Sequence, residues 1–215
     1  MTIRIVIADD HAIVREGLKR IVGGAGDLEV TGEAADGGEV MKAVRELEFD
    51  ILVLDLSMPG RSGMELIKLV HAEKPKLRIL VLSMHQELQY AVRAIKSGAS
   101  GYLTKESAPA QLELAIRKIA GGGAYVTPEV AEQLALGAMP GSQALAHESL
   151  SDREFEVFRL LAEGVSVTDI AAKLKLSVKT VSTHKANLMQ KMGLQNASEL
   201  VRYAMKHGLA NSLDD

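Results

Sequence analysis

The stretch that decides the fold is Ile51-Leu-Val-Leu-Asp-Leu-Ser-Met-Pro-Gly-Arg-Ser-Gly63. Four consecutive apolar residues read as a strand buried on both faces, as at the centre of a parallel sheet. Asp55 closes that strand. Pro59 and Gly60 break it, and Ser62 is placed to cap a helix carrying Met64, Leu66, Ile67, Leu69 and Val70. A carboxylate therefore falls at the carboxyl end of a strand, where open α/β sheets present their ligand groups.

Outward from this centre, strand and helix alternate five times. Ile3, Ile5, Val6 and Ile7 form a first strand that runs into Asp9-Asp10-His11, and a helix follows with Ile13, Val14, Leu18, Ile21 and Val22 inward until Gly23-Gly24. Leu28 to Ala34 is a second strand. Asp36 then caps a helix with Val40, Met41, Val44 and Leu47. Beyond the central strand come Arg78 to Leu82, a helix from Leu88 to Ser97, the short strand Gly101 to Thr104 and a last helix from Ala108 to Ala120. The alternation predicts a doubly wound parallel sheet with helices on both faces, because parallel strands are joined by right-handed crossovers.

In that fold the polar residues at the strand ends share one rim: Asp9, Asp10, Asp55, Ser83 and Lys105. Three carboxylates that close repel one another and raise each other's pKa unless a cation compensates them. Oxygen ligands in an octahedral set suit Mg²⁺. Asp55 could then stay ionised and attack phosphorus, with Lys105 on the phosphoryl oxygens and the Ser83 hydroxyl beside them. Taken alone, Asp10 could instead cap the first helix and Asp9 merely end a strand.

Composition narrows the class. The 215 residues suit two modest domains better than one. There is no cysteine, which excludes disulfides, thiolate metal sites and a cysteine nucleophile. No apolar run reaches membrane-spanning length, so the chain reads as soluble and cytoplasmic. The formal net charge of −3 hides an asymmetry: Lys173, Lys175, Lys179, Lys185 and Lys191 lie between Asp169 and Glu199 with no acid among them.

The texture changes at Gly121-Gly122-Gly123. Thr127-Pro128-Glu129 opens a short helix, and Met139 to His147 has no period, reading as a flexible tether. Leu150-Ser-Asp-Arg-Glu154 then carries a capping box, Ser151 with Glu154, and a staple, Leu150 on Phe155. Short helices lead to a longer one over Val178 to Met192, with Val181, His184, Leu188 and Met192 inward. Lys179, Ser182, Thr183, Ala186 and Gln190 share its outer face, a short, acid-free surface suited to the major groove of DNA. Such a stripe is also what any solvated helix presents, although those normally mix charges. The expected divisions are 1–122, a linker over 123–149, and 150–215.

Asp9-Asp10, Asp55 to Gly63, Ser83 and Tyr102-Leu-Thr-Lys105 together resemble the receiver domain of bacterial two-component response regulators. That resemblance implies a flavodoxin-like (βα)5 fold with a five-stranded parallel sheet. It also implies Asp55 as phospho-acceptor and Asp9, Asp10, Asp55 and the Ser57 carbonyl as the site for Mg²⁺ or Mn²⁺. Lys105 would bind phosphate, Ser83 would be the switch hydroxyl, and Tyr102 the aromatic that turns inward with it. From the residues alone, Tyr102 also has a plainer reading, a half-buried ring on an edge strand. Two positions depart from the family pattern: Glu106 stands where many receivers have proline, and Met84 is bulkier than the small residue often found there, which is expected to narrow access to an acyl phosphate. His85 reads as a surface residue.

Leu150 to Glu154, Leu161-Ala-Glu-Gly164, Ile170-Ala171, Ser177-Val-Lys-Thr-Val181, His184 and Leu188 resemble the all-α, four-helix, helix-turn-helix domain of the LuxR type. With a receiver this is the pattern of the NarL/FixJ transcription factors. The resemblance places Lys179, Thr180, Ser182, Thr183, Lys185 and Ala186 against double-stranded DNA, and makes the last helix, with Leu200, Val201, Ala204 and Met205, a homodimer seam. A histidine kinase is the expected phosphoryl donor. The chain is not expected to be an enzyme beyond slow self-dephosphorylation. Rival readings are an aspartate-nucleophile phosphohydrolase, against which Ser57 offers no second acid, and a receiver serving only as a phosphate-independent dimerisation module.

Overall fold

The computed structural model describes residues 2–58, 63–84, 88–138 and 145–209. Pro59, Gly60, Ser62, His85 and most of the expected tether lie outside the described residues. Two compact units divide the chain, Met1–Ala135 and Leu136–Asp215.

In the first unit, β1 (Ile3–Ala8), β2 (Leu28–Ala34), β3 (Ile51–Asp55), β4 (Arg78–Ser83) and β5 (Gly101–Thr104) form a parallel sheet in the order β2-β1-β3-β4-β5. The crossovers are α1 (Ala12–Gly23), α2 (Gly37–Glu46), α3 (Gly63–Glu73) and α4 (Leu88–Lys96), and α5 (Ala108–Ala120) follows β5. Every residue of β3 is buried, as expected of a strand covered on both faces. Ile5, Ile7, Ile51, Val53, Leu80 and Leu82 pack on one side against Leu18 and Val22 of α1 and Leu112, Ile116 and Ile119 of α5. The alternate residues Val6, Leu52, Leu54, Ile79 and Val81 point to the other face and are equally buried. Asp36 caps α2 as expected, its Oδ1 accepting from the Gly38 and Glu39 amides.

Ile13 departs from the expectation, being 83% exposed. On α1 it lies about 140° around the axis from Leu18, so it cannot share the buried stripe of Leu18 and Val22. A second difference lies after α5. Gly122 turns the chain at φ +89, and Tyr125 returns alongside β5, its carbonyl accepting from the Tyr102 amide at 2.9 Å and its amide donating to the Ser100 carbonyl at 3.1 Å. The edge of β5 is thereby covered. α6 (Pro128–Gly137) follows, begun by Thr127 as the sequence suggests.

In the second unit a 3₁₀ turn (Ala146–Ser149) precedes α7 (Asp152–Ala162), α8 (Val167–Lys173), α9 (Val178–Met192) and α10 (Ala197–Lys206). The Ser151–Glu154 capping box is present, and Leu150 and Phe155 are both buried. The irregular stretch expected to run through His147 ends earlier. His147 is fully buried, its Nδ1 3.0 Å from the Tyr203 hydroxyl, because its ring completes an aromatic cluster with Phe155, Tyr203 and His207. A lone histidine amid small residues carries no periodic signal for such burial.

Gly63 opens α3 directly against the backbone of the loop that leaves β3. A Cβ there would stand 2.6 Å from Leu56 Cα and 2.7 Å from its carbonyl oxygen, atoms of backbone that cannot swing aside. Gly63→Ala is therefore expected to destabilise the first unit by ~2 kcal/mol, read as a lower thermal midpoint. An unchanged midpoint would mean that the Leu56 loop yields freely.

Candidate functional site

The carboxyl ends of β1, β3, β4 and β5 converge on one rim. β3 pairs on one side with β1 and on the other with β4, which in turn pairs with β5. Asp9 follows β1 directly and Asp55 ends β3; each is only 1% exposed. Lys105, just after β5, reaches between them with Nζ 2.6 Å from Asp9 Oδ2 and 2.9 Å from Asp55 Oδ2. Asp55 Oδ1 accepts from the Ser57 amide at 3.1 Å, which folds the first residues of the β3–α3 loop back over the carboxylate. Ser83 is fully buried at the end of β4, in register with Thr104, and its carbonyl takes the Lys105 amide at 2.8 Å. Asp10 sits more openly on the same rim, its Oδ1 2.8 Å from His11 Nδ1. The five residues singled out from the strand ends are thus neighbours.

Tyr102 is 7% exposed on β5, so the half-buried reading of an edge ring does not hold. Tyr125 pairs through its backbone along the outer side of β5, so that strand is not an open edge. Met84, the residue after Ser83, is 70% exposed, so its side chain is not packed into the rim. Glu106 lies in a turn closed by the Ser107 amide on the Thr104 carbonyl at 3.1 Å, with the Thr104 and Ser107 hydroxyls 2.8 Å apart. That hydroxyl pair supplies the turn geometry at the position where the family pattern has proline. Sequence reading missed both this pair and Arg15, which donates from Nη1 to the Asp9 carbonyl at 2.7 Å and from Nε to Glu33 at 2.9 Å. Arg15 lies inside α1, and the Thr104–Ser107 pair depends on a turn formed after β5, so neither stands out as a polar residue closing an apolar run.

The electrostatics follow from one ammonium shared by two buried acids. Burial alone would lower the Lys105 pKa, but Asp9 and Asp55 outweigh it and hold the ammonium above its ordinary value. Burial pushes the Asp55 carboxyl up, and its share of Lys105 with the Ser57 amide does not fully bring it back. Lys105 is shifted up by its two anions, whereas Asp55 is shifted up by burial, against which a shared cation is not enough. Asp9, Asp10 and His11 offer ligand atoms within 4.8 Å of one another, and the buried Asp9 Oδ2, though ion-paired to Lys105, receives no hydrogen bond of normal geometry. Hard carboxylate oxygens with spare lone pairs fit a divalent ion such as Mg²⁺.

In the second unit, α9 presents Lys179, Ser182, Thr183 and Ala186 to solvent, with Lys185 and Thr180 half-buried. The Thr180 hydroxyl is engaged with the N-cap Ser177 at 2.7 Å, and Thr183 Oγ1 donates to the Lys179 carbonyl at 3.0 Å. α8 and α9 are joined by a turn in which Lys175 takes φ 53, a left-handed conformation that glycine more often fills. Glu154, 4% exposed on α7, binds Lys191 of α9 at 2.6 Å and the Ser151 amide at 2.8 Å. Burial works against its charge, yet those partners hold its pKa below the usual carboxylate value. This anchor fixes α9 on α7 and was not legible beforehand. On α10, Leu200 and Ala204 are buried within the unit, leaving Met205 52% exposed and Val201 half-exposed.

Comparison with known proteins agrees with this architecture. Residues 5–117 match the response regulator receiver domain, and residues 148–204 match the luxR family of bacterial regulatory proteins. The oxygen regulatory protein NreC of Staphylococcus epidermidis is 42% identical over 214 residues, covering 96% of this chain and 98% of that one. NreC of Staphylococcus aureus is 41% identical over 213 residues with the same coverage. Among solved structures, the RcsB response regulator of Salmonella typhimurium is 32% identical with a TM-score of 0.69, covering 95% of this chain and 98% of that one. A structure of RcsB bound to DNA is similar as well, at 32% identity over the same shares of the two chains and a TM-score of 0.59. A receiver joined to a LuxR-type helix-turn-helix domain defines a DNA-binding transcriptional response regulator. Within that class, the chain belongs to the NarL/FixJ family. No helix among the described residues is long and apolar enough to cross a membrane.

The raised Asp55 pKa has a signed consequence for the metal-free protein. A carboxyl raised in the folded state favours folding below its unfolded value, and that contribution is lost as pH rises through the folded one. Ionised Asp55 is therefore a net cost near neutrality. Asp55→Asn is expected to raise the thermal midpoint at pH 7 by roughly 3 °C, with the gap closing as acid neutralises Asp55 in the wild type. An equal or lower midpoint at neutral pH contradicts this.

Proposed function

We propose that this chain is a transcription factor switched by Mg²⁺-dependent phosphorylation of Asp55, with a histidine kinase as donor. One observation carries the reading: a single ammonium, Lys105, bridges the buried carboxylates of Asp9 and Asp55 at the rim where Ser83 is also buried. Asp9, Asp10, Asp55 and the Ser57 carbonyl are the groups that would hold the metal. When bound, Mg²⁺ supplies positive charge that keeps the acids ionised and offsets charge on the phosphoryl oxygens.

The remaining work falls to the chain itself. A carboxylate oxygen of Asp55 attacks phosphorus on the donor's phosphohistidine; the O–P bond forms, the N–P bond breaks, and its electron pair returns to the imidazole. Lys105 turns from Asp55 to the phosphoryl oxygens, which replace the lost carboxylate charge. The Ser83 hydroxyl donates to the same group, and Tyr102, one strand over, is the aromatic that follows it. This biases the two-state element formed by α4 and β5. Only slow self-dephosphorylation follows, because Ser57 places no second acid beside Asp55.

The output falls to the second unit. Lys179, Ser182, Thr183, Ala186 and, at the flank, Thr180 and Lys185 meet double-stranded DNA, the lysines on phosphate and the small side chains admitting the helix to the groove. Val201 and Met205, four residues apart on α10, form the homodimer seam. The structure of RcsB on a promoter with the phosphomimetic beryllofluoride, 32% identical with a TM-score of 0.65 and covering 95% of this chain and 99% of that one, supports this reading by similarity. The working division is a receiver over 1–122, a linker over 123–149 and a DNA-binding domain over 150–215, acting in the cytoplasm.

Incubation with acetyl phosphate and Mg²⁺ is expected to add the mass of one phosphoryl group to the wild type and none to Asp55→Ala. Equal modification of the variant overturns the assignment of Asp55.

A further inference from the structure

The chain leaves α5 by folding back on the sheet before it reaches α6. Gly121, Gly122 and Gly123 donate their amides to the Arg117, Ile119 and Lys118 carbonyls at 3.1, 2.9 and 3.0 Å, and the positive φ of Gly122 reverses the direction. Tyr125 then meets β5 in an isolated parallel bridge to Gly101 instead of a ladder. Its carbonyl accepts from the Tyr102 amide and its amide donates to the Ser100 carbonyl, so the two bonds flank Gly101. Position 101 has no room for a side chain: a Cβ would stand 2.7 Å from Ile119 Cδ1 and 2.9 Å from the Tyr125 carbonyl oxygen. The seat is shaped for this strap.

Little else holds it. Gly121 to Ala124 are exposed and Tyr125 is half-buried. The Tyr125 hydroxyl donates to Gln111 Oε1 at 2.9 Å, and Lys118 Nζ lies 5.6 Å from the ring centroid, both partners being on α5. A segment held by two backbone bonds, one exposed side-chain bond and one half-buried ring belongs to the low end of local stability. Its attachment also falls at the residue that changes, because Tyr102, whose amide holds Tyr125, is the ring that follows Ser83 in the proposed mechanism. Two residues beyond Tyr125, Thr127 begins α6 and the chain that leads to the second unit.

We infer that residues 121–125 are a latch. Seated on β5 in the resting receiver, they shorten the tether to the DNA-binding unit; when Tyr102 turns inward, the bridge at Gly101 opens and the strap is let go. The inference rests on the proposed switch and adds the element that carries its signal out of the sheet. Release frees residues 121–126, roughly 20 Å of chain at full extension, which widens the reach of each DNA-binding unit. Paired half-sites impose a fixed separation on a dimer, and a tether too short to span it forbids simultaneous engagement.

Hydrogen exchange of the full chain, followed by mass spectrometry with Mg²⁺ in the absence and presence of beryllofluoride, reads the latch directly. In the wild type, exchange at Tyr102 and Tyr125 is expected to rise at least about tenfold with beryllofluoride while β3 stays protected. Tyr125→Ala removes the ring and its hydroxyl bond, and Gly101→Ala fills the seat. Both are expected to exchange fast at the strap without beryllofluoride, with acetyl phosphate uptake unchanged. In that condition they should bind a DNA duplex, selected on the beryllofluoride-treated wild type, at least about threefold tighter than the wild type does. Strap protection that beryllofluoride leaves unaltered while DNA binding rises overturns the latch and leaves the switch standing, and this comparison needs no variant. Fast strap exchange in the variants with wild-type DNA binding overturns it too, since the strap would then only cover β5. DNA binding that ignores beryllofluoride in the wild type removes the proposed switch, and the latch with it.

Discussion

Two carboxylates buried at one rim of a sheet with a single ammonium between them are the constraint on which the first unit depends. Asp9 and Asp55 sit at the ends of adjacent strands, so the sheet brings them together whether or not their charges agree. Lys105 reduces the repulsion from β5, two strands from Asp55, and cannot remove it, because one positive charge faces two negative ones. The pocket is consequently unfinished in electrostatic terms. It favours whatever brings further positive charge, and in the proposed mechanism it releases Lys105 when a phosphoryl group takes over the anion's role. Stability is given up at the one place where the account requires a change of state.

The same logic is answered differently in the second unit. There a buried acid, Glu154, is fully matched: the Ser151 amide and Lys191 satisfy it, and its pKa is lowered rather than raised. A satisfied network of this kind rigidifies, which suits a helix proposed to present Lys179, Ser182 and Thr183 at fixed spacing. Lys191 is also one of the five lysines in the acid-free segment, so that segment is less cationic toward solvent than its composition implies. Two hydroxyls proposed to meet DNA are similarly committed inside the protein, Thr180 at the flank to the helix cap and Thr183 on the outer face to the helix backbone.

Most of the fold was legible because it is written in periodicity: the unbroken apolar run of β3, the alternation of five strands with helices, and the Ser151 and Asp36 caps all have local signatures. The rim was legible because polar residues at the ends of apolar runs are conspicuous. What escaped detection depends on contacts between distant parts of the chain. Ile13 looked like core by type, yet its angle on α1 turns it outward. Tyr125 covers the edge of β5 through backbone bonds, to which any residue could contribute. His147 is buried by a ring cluster whose other members include Tyr203 and His207 on a distant helix, and Lys191 reaches an acid on another helix. His11 was read only as the residue after two acids. No feature of the sequence alone states which way its ring turns.

The claim at the centre is that chemistry at Asp55 governs what α9 does on DNA. DNA binding by the full-length wild type, measured with Mg²⁺ in the presence and absence of beryllofluoride, tests it most directly. The account predicts markedly tighter binding with beryllofluoride, accompanied by dimer formation, and loss of that gain when Mg²⁺ is withheld. Superimposable binding curves under all three conditions would contradict it, leaving a DNA-binding unit that takes no instruction from the acid rim.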